Sequence, residues 1–266
     1  MTTTPSIAFQ LPAVVVVSGA SSGLGSDLCQ MLVESDVTTI GVDISDASAE
    51  LKDRDGYTHV SGDVSEEKTW QHVVEILQSQ NHASYGLVTS AAILHVGTLL
   101  DTSKEELERS LRINVTGTAL AMKAMLPLMI GVGGGPIVAV ASIDATFAEQ
   151  QLATYCATKG AVRQLARTVA MDHARQGVRV NVLSPGPMMA GLFKRHMSSA
   201  TDPGKFEATR ANRQPGGRIL EASEVASAAL FLLSNGSSAL NGTEVMADGG
   251  LTTSFDFRTG TEGASV

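Results

Sequence analysis

At 266 residues with 43% hydrophobic residues, the chain is long enough to bury a substantial core in one α/β domain, although length alone would permit two. Its 19 Lys and Arg against 27 Asp and Glu give a formal net charge of −8, and the basic residues are scattered rather than striped, which argues against a nucleic-acid partner. No basic segment precedes an apolar run at the N-terminus, so no signal peptide is read and the expected location is cytoplasmic.

Residues 1–6 read as a polar tail. Ala13-Val14-Val15-Val16-Val17 follows as a strand near 13–18, continuously apolar and β-branched, as expected of a strand buried on both faces. It runs through Ser18-Gly19-Ala20-Ser21-Ser22-Gly23-Leu24-Gly25 into a helix near 23–34, where Leu24, Leu28, Met31 and Leu32 recur with helical spacing. Gly19, Gly23 and Gly25 remove side chains where the backbone must turn and approach a ligand, and the helix start offers free N–H groups to a pyrophosphate. The spacing is Gly-x-x-x-Gly-x-Gly, unlike the commoner Gly-x-Gly-x-x-Gly fingerprint.

A second strand near 37–43 ends in Asp43, whose carboxylate could accept hydrogen bonds from both adenosine ribose hydroxyls and would repel a 2′-phosphate. Ser22 before Gly23 and Ile44 after Asp43 bring no cation to neutralise such a phosphate. The expected cofactor is therefore NAD(H) rather than NADP(H).

Further strands are predicted near 57–61, 85–90, 136–141, 178–183 and 243–247, and helices near 66–80, 103–130, 153–175 and 223–234. The apolar stretch 119–130 contains Lys123 and Pro127 and reads as too short to span a bilayer. Alternating helix and strand predict a Rossmann-like, doubly wound parallel sheet of about seven strands with helices on both faces, in one domain. Segment 187–215 reads as a lid: Met188, Met189, Leu192, Phe193 and Met197 make it apolar and adaptable, and Gly191, Gly204, Gly216 and Gly217 permit movement. Residues 259–266 read as a second polar tail. Cys29 and Cys156 show no metal or redox spacing and the six histidines include no His-Glu-x-x-His, so no catalytic metal is expected.

Tyr155 and Lys159 lie four positions apart on a predicted helix, and Ser142 ends the apolar strand thirteen residues before Tyr155. Residues i and i+4 project from one helix face, so the Lys159 ammonium can sit near the Tyr155 phenol. Bringing a tyrosine from ~10 to roughly 7 takes about 4 kcal/mol, which a unit charge about 4 Å away supplies at an effective dielectric of ~20. Tyr155 is thus expected to act as a general base, with Ser142 bonding the oxygen that gains or loses the proton.

With these residues the chain resembles the short-chain dehydrogenase/reductase family, from about Val14 to Gly250. The glycine turn fits the family's Thr-Gly-x-x-x-Gly-x-Gly with serine leading. Ser142, Tyr155 and Lys159 fit its serine, tyrosine and lysine. The resemblance implies that Asp63-Val64 contacts the adenine amino group and that Asn114 holds a water in a proton relay. It also implies that Lys159 binds the nicotinamide ribose, that Pro185-Gly186 turns beside the nicotinamide, and that Asp248-Gly249-Gly250 closes the last strand. Two departures stand out. Thr89-Ser90-Ala91-Ala92 replaces the usual Asn-Asn-Ala-Gly, with Ser90, Ala91 and Ala92 still expected beside the nicotinamide ribose. Ala190 stands where a threonine often bonds the carboxamide, a role that backbone around Met188 could take over.

The substrate is expected to be compact and partly hydrophobic, met by Asp144, His95, Gln150, Met189 and Phe193. A long carrier-linked acyl chain is disfavoured, because a carrier's phosphate should attract nearby cations. A carboxylate beside apolar residues needs a partner, so Asp144 suggests an amino alcohol oxidised to an α-amino ketone. The family includes dehydrogenases for ephedrine-like compounds. Polyol, sugar or cyclic dihydrodiol oxidation would use the same catalytic residues, and a non-catalytic dinucleotide sensor or scaffold is the rival of another class. The family's dimer faces imply a homotetramer.

Overall fold

The structure, a computed structural model, describes residues 9–253; the two predicted polar tails, 1–6 and 259–266, lie outside the described residues. In chain order the elements are β1 (Val14–Ser18), α1 (Gly23–Glu34), β2 (Thr38–Asp43), β3 (Tyr57–Ser61), α2 (Glu67–Ser79), β4 (Tyr85–Thr89), α3 (Lys104–Leu111) and α4 (Gly117–Gly131). There follow β5 (Gly135–Val140), α5 (Ala153–His173), β6 (Val178–Pro185), α6 (Gly191–Ser198), α7 (Pro203–Arg213), α8 (Ala222–Leu233) and β7 (Glu244–Ala247). The strands form one parallel sheet in the order β3-β2-β1-β4-β5-β6-β7. Chain direction across the sheet reverses between β1 and β4, and the crevice outside their carboxyl ends is where such sheets bind ligands.

The four valines of β1 show why both faces need cover. Val14 and Val16 pack into the core beneath α2, α4 and α5, while Val15 and Val17 pack against α1 and α8, all four fully buried. Alternation in a strand sends successive side chains to opposite faces, and each buried valine contributes roughly 1.5–3 kcal/mol. This double anchoring fixes the end of β1, and with it the glycine turn.

The predicted long helix is interrupted. Arg112–Thr116 winds as a π-helical segment between α3 and α4. The whole run Lys104–Gly131 is 28 residues, long and apolar enough by length and composition to cross a membrane, which corrects the reading of its apolar part as too short. Ala121, Met122, Met125 and Met129 on it are nevertheless buried against the sheet, as in the core helix of a layered domain. Segment 187–215, read from sequence without helices, carries α6 and α7. The Asp202 side chain caps α7 by accepting from the Lys205 N–H at 2.9 Å, with Pro203 in the first turn.

Candidate active site

A cavity of about 540 Å³ opens at the carboxyl ends of β1 and β4 and runs from Asp43 to Tyr155. Its dinucleotide end is built mostly from backbone. Gly19 takes φ +74°, and a methyl group there would come within 2.8 Å of the Ala91 Cα. Gly25 does not line the cavity but backs the turn, so close that a side chain would overlap the Gly19 carbonyl. Gly19, Ser22, Gly23 and Leu24 line the cavity.

Asp43 ends β2 with both oxygens fixed: Ser21 N–H donates to one at 3.1 Å and Ser45 N–H to the other at 3.0 Å. The carboxylate is thus a held acceptor at the cavity edge, and Ile44 beside it is 74% exposed, an apolar platform on the same wall. Asp63 and Val64 line the opposite side. Burial alone would raise the Asp63 carboxyl, but hydrogen bonds from Ser65 and the Arg112 guanidinium together hold it below its ordinary range. These groups fit a nicotinamide dinucleotide: a glycine-rich turn without charged side chains for the diphosphate and fixed acceptors for ribose and adenine. Ser90, Ala91, Ala92, Pro185, Gly186 and Met188 continue the lining.

The two departures have structural counterparts. The Thr89 hydroxyl is buried without a hydrogen-bond partner, so the tie that an asparagine amide would make to a neighbouring strand is missing. Ser18 partly compensates, its hydroxyl accepting from the Ala91 N–H at 3.3 Å. Around Ala190 the Met189 N–H donates to the Leu220 carbonyl and the Ala190 N–H to the Met188 carbonyl, so two of the turn's amides are already engaged. Gly186 lies against Asp248, which accepts from the Gly250 and Thr252 amides and so buttresses the Pro185-Gly186 turn from behind.

Ser142, Tyr155 and Lys159 converge at the other end. The Lys159 ammonium lies 5.6 Å from the centre of the Tyr155 ring and donates to the Val140 carbonyl at 2.8 Å. Burial depresses the Lys159 pKa to about 8, against an opposing pull from Asp144. The expected acidification of Tyr155 is not found: burial, then the nearby Asp144 charge, pushes its phenol up, opposed by the Ser142 hydrogen bond. Desolvation is the largest effect here and outweighs the attraction of the single cation at Lys159.

Asp144 sits inside this cluster. Ser142 caps the short helix Ile143–Ala145, its oxygen accepting from the Asp144 N–H at 3.1 Å while its hydroxyl donates to the Asp144 carboxylate at 3.1 Å. A hydroxyl has one proton, so Asp144, Tyr155 and a substrate oxygen compete for it. Burial first, then the Glu149 charge, raises the Asp144 carboxyl to about 6, against pulls from Ser142, Arg210 and Lys159. Glu149 itself is paired with Arg210 of α7, which stacks 5.0 Å over the Phe206 ring. Sequence reading missed Arg210, and also Arg109 and Arg195 on the cavity wall, where nearby cations were not expected, together with His196, whose pKa burial lowers.

Other predicted site residues lie elsewhere. Asn114, buried in the π-helical segment, accepts from the Ile93 N–H at 2.8 Å and donates to the Ile93 carbonyl and the Thr158 hydroxyl, each at 3.0 Å. Both of its amide hydrogens therefore brace the loop after β4 against α5. Of the substrate residues, Asp144 and Phe193 line the cavity, whereas His95, Gln150 and Met189 do not. His95 pairs with Glu106 at 3.3 Å, Gln150 faces solvent, and Met189 is held by its backbone to Leu220. Gln151 turns the chain with φ +65° between Glu149 and Leu152, both of which line the cavity.

A family profile described as enoyl-(acyl carrier protein) reductase matches residues 19–252. The chain is 32% identical over 242 residues to an L-fucose dehydrogenase of Mus musculus, covering 89% of this chain and 87% of that protein. It is 32% identical over 247 residues to a cyclopentanol dehydrogenase of Comamonas testosteroni, covering 90% and 96%. Among solved structures, a gluconate 5-dehydrogenase of Burkholderia cenocepacia in complex with NADP and tartrate superposes with a TM-score of 0.83 at 28% identity, covering 91% and 96%.

Proposed function

The chain belongs to the short-chain dehydrogenase/reductase family, a family of oxidoreductases that bind nicotinamide cofactors, and from that premise we propose that it is an NAD-dependent dehydrogenase of secondary alcohols. One observation carries the reading: Ser142, Tyr155 and Lys159 line one end of a cavity whose other end is a glycine-rich, uncharged turn beside Asp43. NAD rather than NADP is favoured by the Asp43 carboxylate, which both flanking amides hold at the ribose end.

A bound nicotinamide would supply a positively charged hydride acceptor for oxidation, neutral once reduced, and a hydride donor for reduction. The Tyr155 oxygen receives the hydroxyl proton in oxidation and returns it in reduction. Its raised pKa makes the neutral phenol the resting form, suited to donating a proton, so oxidation relies on positive charge close by. Lys159 contributes part of that charge and also binds the nicotinamide ribose. Ser142 donates to the reacting oxygen when its proton turns from Asp144. Asn114 fixes the Ile93 loop and the α5 turn that carries Lys159, and its place in proton exchange is through that brace.

The substrate we propose is an amino alcohol of ephedrine-like type, with its ammonium on Asp144. Arg210 is engaged by Glu149, and among the described residues no basic side chain forms an ion pair with Asp144, although the Arg210 and Lys159 charges act on it. Ile143, Leu152, Leu94 and Phe193 give the same wall an apolar surface for the rest of the molecule. A polyol or sugar is the second reading, favoured by the substrate names of the fucose and gluconate enzymes and by the acceptor capacity of Asp144. Exposed apolar side chains such as Phe147, Met171 and Phe231 support a homotetramer.

The test compares an amino alcohol with its uncharged isostere in the wild type, Tyr155→Phe and Asp144→Asn. Tyr155→Phe should bind NADH normally and lose about 10²–10⁴ of turnover on both compounds. Asp144→Asn should lose roughly ten- to a hundredfold more kcat/KM on the amine than on the isostere, the size of a lost charge-assisted hydrogen bond. Retained turnover in the first variant would remove the proton-transfer role, and equal losses in the second would remove the amine.

A further inference from the structure

The glycine turn has no cation of its own. Neither Ser18–Gly25 nor α1 contains Lys or Arg, and Asp43 and Asp63 add negative charge along the same cavity. A dinucleotide diphosphate carries two negative charges into that setting. We propose that the lid supplies the missing charge: Arg195 of α6, with Lys194 beside it, reaches the cofactor diphosphate and couples dinucleotide binding to the seating of the lid.

Three observations converge on this. Arg195 lines the same cavity as Gly19, Ser22, Gly23 and Leu24. Lys194, Arg195, Ser198 and Ser199 also line an adjoining recess whose other walls are Ser22 and Gly191, with no carboxylate among them. Finally, α6 is seated on the turn by backbone: a methyl group on Gly23 would lie 3.0 Å from the Gly191 Cα, and one on Gly191 3.3 Å from the Gly23 Cα. Side chains on the first turns of α6 are thereby carried over the diphosphate end.

The other cations on the cavity wall are differently disposed. Arg210 is paired with Glu149, Lys159 is held by the Val140 carbonyl, and Arg109 approaches from α3. Among the described residues neither the Lys194 ammonium nor the Arg195 guanidinium has an ion-pair partner. Two exposed cations left unpaired beside an uncharged turn are placed for an anionic ligand, and the planar guanidinium fork of Arg195 suits phosphate oxygens. A ribose 2′-phosphate is the other anion that could lie near Ser22, and Asp43 opposes it.

The inference rests on dinucleotide binding at the turn and is independent of the substrate. Its test titrates NADH and NADPH, by fluorescence, into the wild-type chain, Arg195→Gln and Arg195→Lys at low and high salt. Arg195→Gln should bind both dinucleotides about tenfold more weakly, with a shallower salt dependence, and Arg195→Lys should fall between. NADH should protect the α6–α7 segment from limited proteolysis in the wild type and less so in Arg195→Gln. Weakening of NADPH alone would assign the guanidinium to a 2′-phosphate and overturn the proposal. So would unchanged affinity for both, or proteolysis unaffected by NADH in the wild type. A wild-type chain that binds neither dinucleotide would instead sink the cofactor reading itself.

Discussion

On the dinucleotide wall of the cavity the chain meets its ligand with backbone, packed so tightly that a methyl group on Gly25 would overlap the Gly19 carbonyl. The substrate wall is made of side chains brought together from afar, with Glu149 holding Arg210 across 61 residues of sequence and Arg210 lying over Phe206. The turn of the first wall has no spare volume at Gly19 and Gly25, and side chains enter beside it through Asp43, Ile44 and Asp63. The second wall depends on charges carried by side chains from separate elements, which can change without disturbing the sheet.

The sharpest way to break this contrast is to add one methyl group to the packed turn and one to an open loop outside the cavity. Gly25→Ala must displace the Gly19 carbonyl, and overpacking against backbone costs about 1–3 kcal/mol. The variant should melt lower and bind NADH at least about tenfold more weakly, by calorimetry and fluorescence titration. Gly216→Ala, in the loop after α7, places the same methyl where nothing lies within 4 Å. It should change stability by less than about 0.5 kcal/mol. Equal responses would show that the two regions are equally tight.

The same contrast decides what the sequence makes legible. β1, the glycine turn, α1 and Asp43 are local: four valines, three glycines and one acid within thirty residues suffice to place them. The π-helical segment Arg112–Thr116 leaves no mark in the spacing of apolar residues, so the helix there reads as continuous. For α7 a signal is present, Asp202 before Pro203, but the segment's methionines and glycines read as an adaptable lid rather than as a capped helix. Arg210 could not be paired with Glu149 from sequence, since nothing local joins positions 61 apart. Gln150 and Met189 fail for a related reason: adjacency in the chain does not give direction, and their neighbours Glu149, Leu152, Met188 and Ala190 line the cavity while they do not. Burial of Tyr155, which reverses the expected shift of its pKa, likewise belongs to the assembled fold.

A smaller effect should appear only on the substrate wall, as pH is lowered. Asp144 titrates near 6, above the ordinary 3.8, chiefly through burial. Because the charged form is the one that holds an ammonium, binding of an amine is complete above this value and is lost as pH falls through it. At pH 5 roughly one carboxylate in ten is still charged, while an alkylammonium keeps its proton throughout the window. The ratio of kcat/KM for the amine to that for its uncharged isostere should therefore fall about tenfold between pH 8 and pH 5, and taking the ratio cancels the titration of Tyr155 common to both. NADH affinity should stay level over the same range. A flat ratio would mean that Asp144 does not meet the substrate's charge.

Smallest of all is the consequence of freeing Arg210. Its pair with Glu149 is about one-quarter exposed on each side, so after solvent screening it is worth about 0.2–1 kcal/mol, and Glu149→Gln should lower the melting temperature by only about 1–3 °C. The released guanidinium would then compete with the substrate ammonium for Asp144, raising KM for the amine about two- to fivefold while leaving the isostere and NADH unaffected. Adding Arg210→Gln to that variant removes the competitor and should restore the amine's KM. If instead Glu149→Gln weakens amine, isostere and NADH together, the pair holds the shape of the whole cavity, and the two walls are not independent.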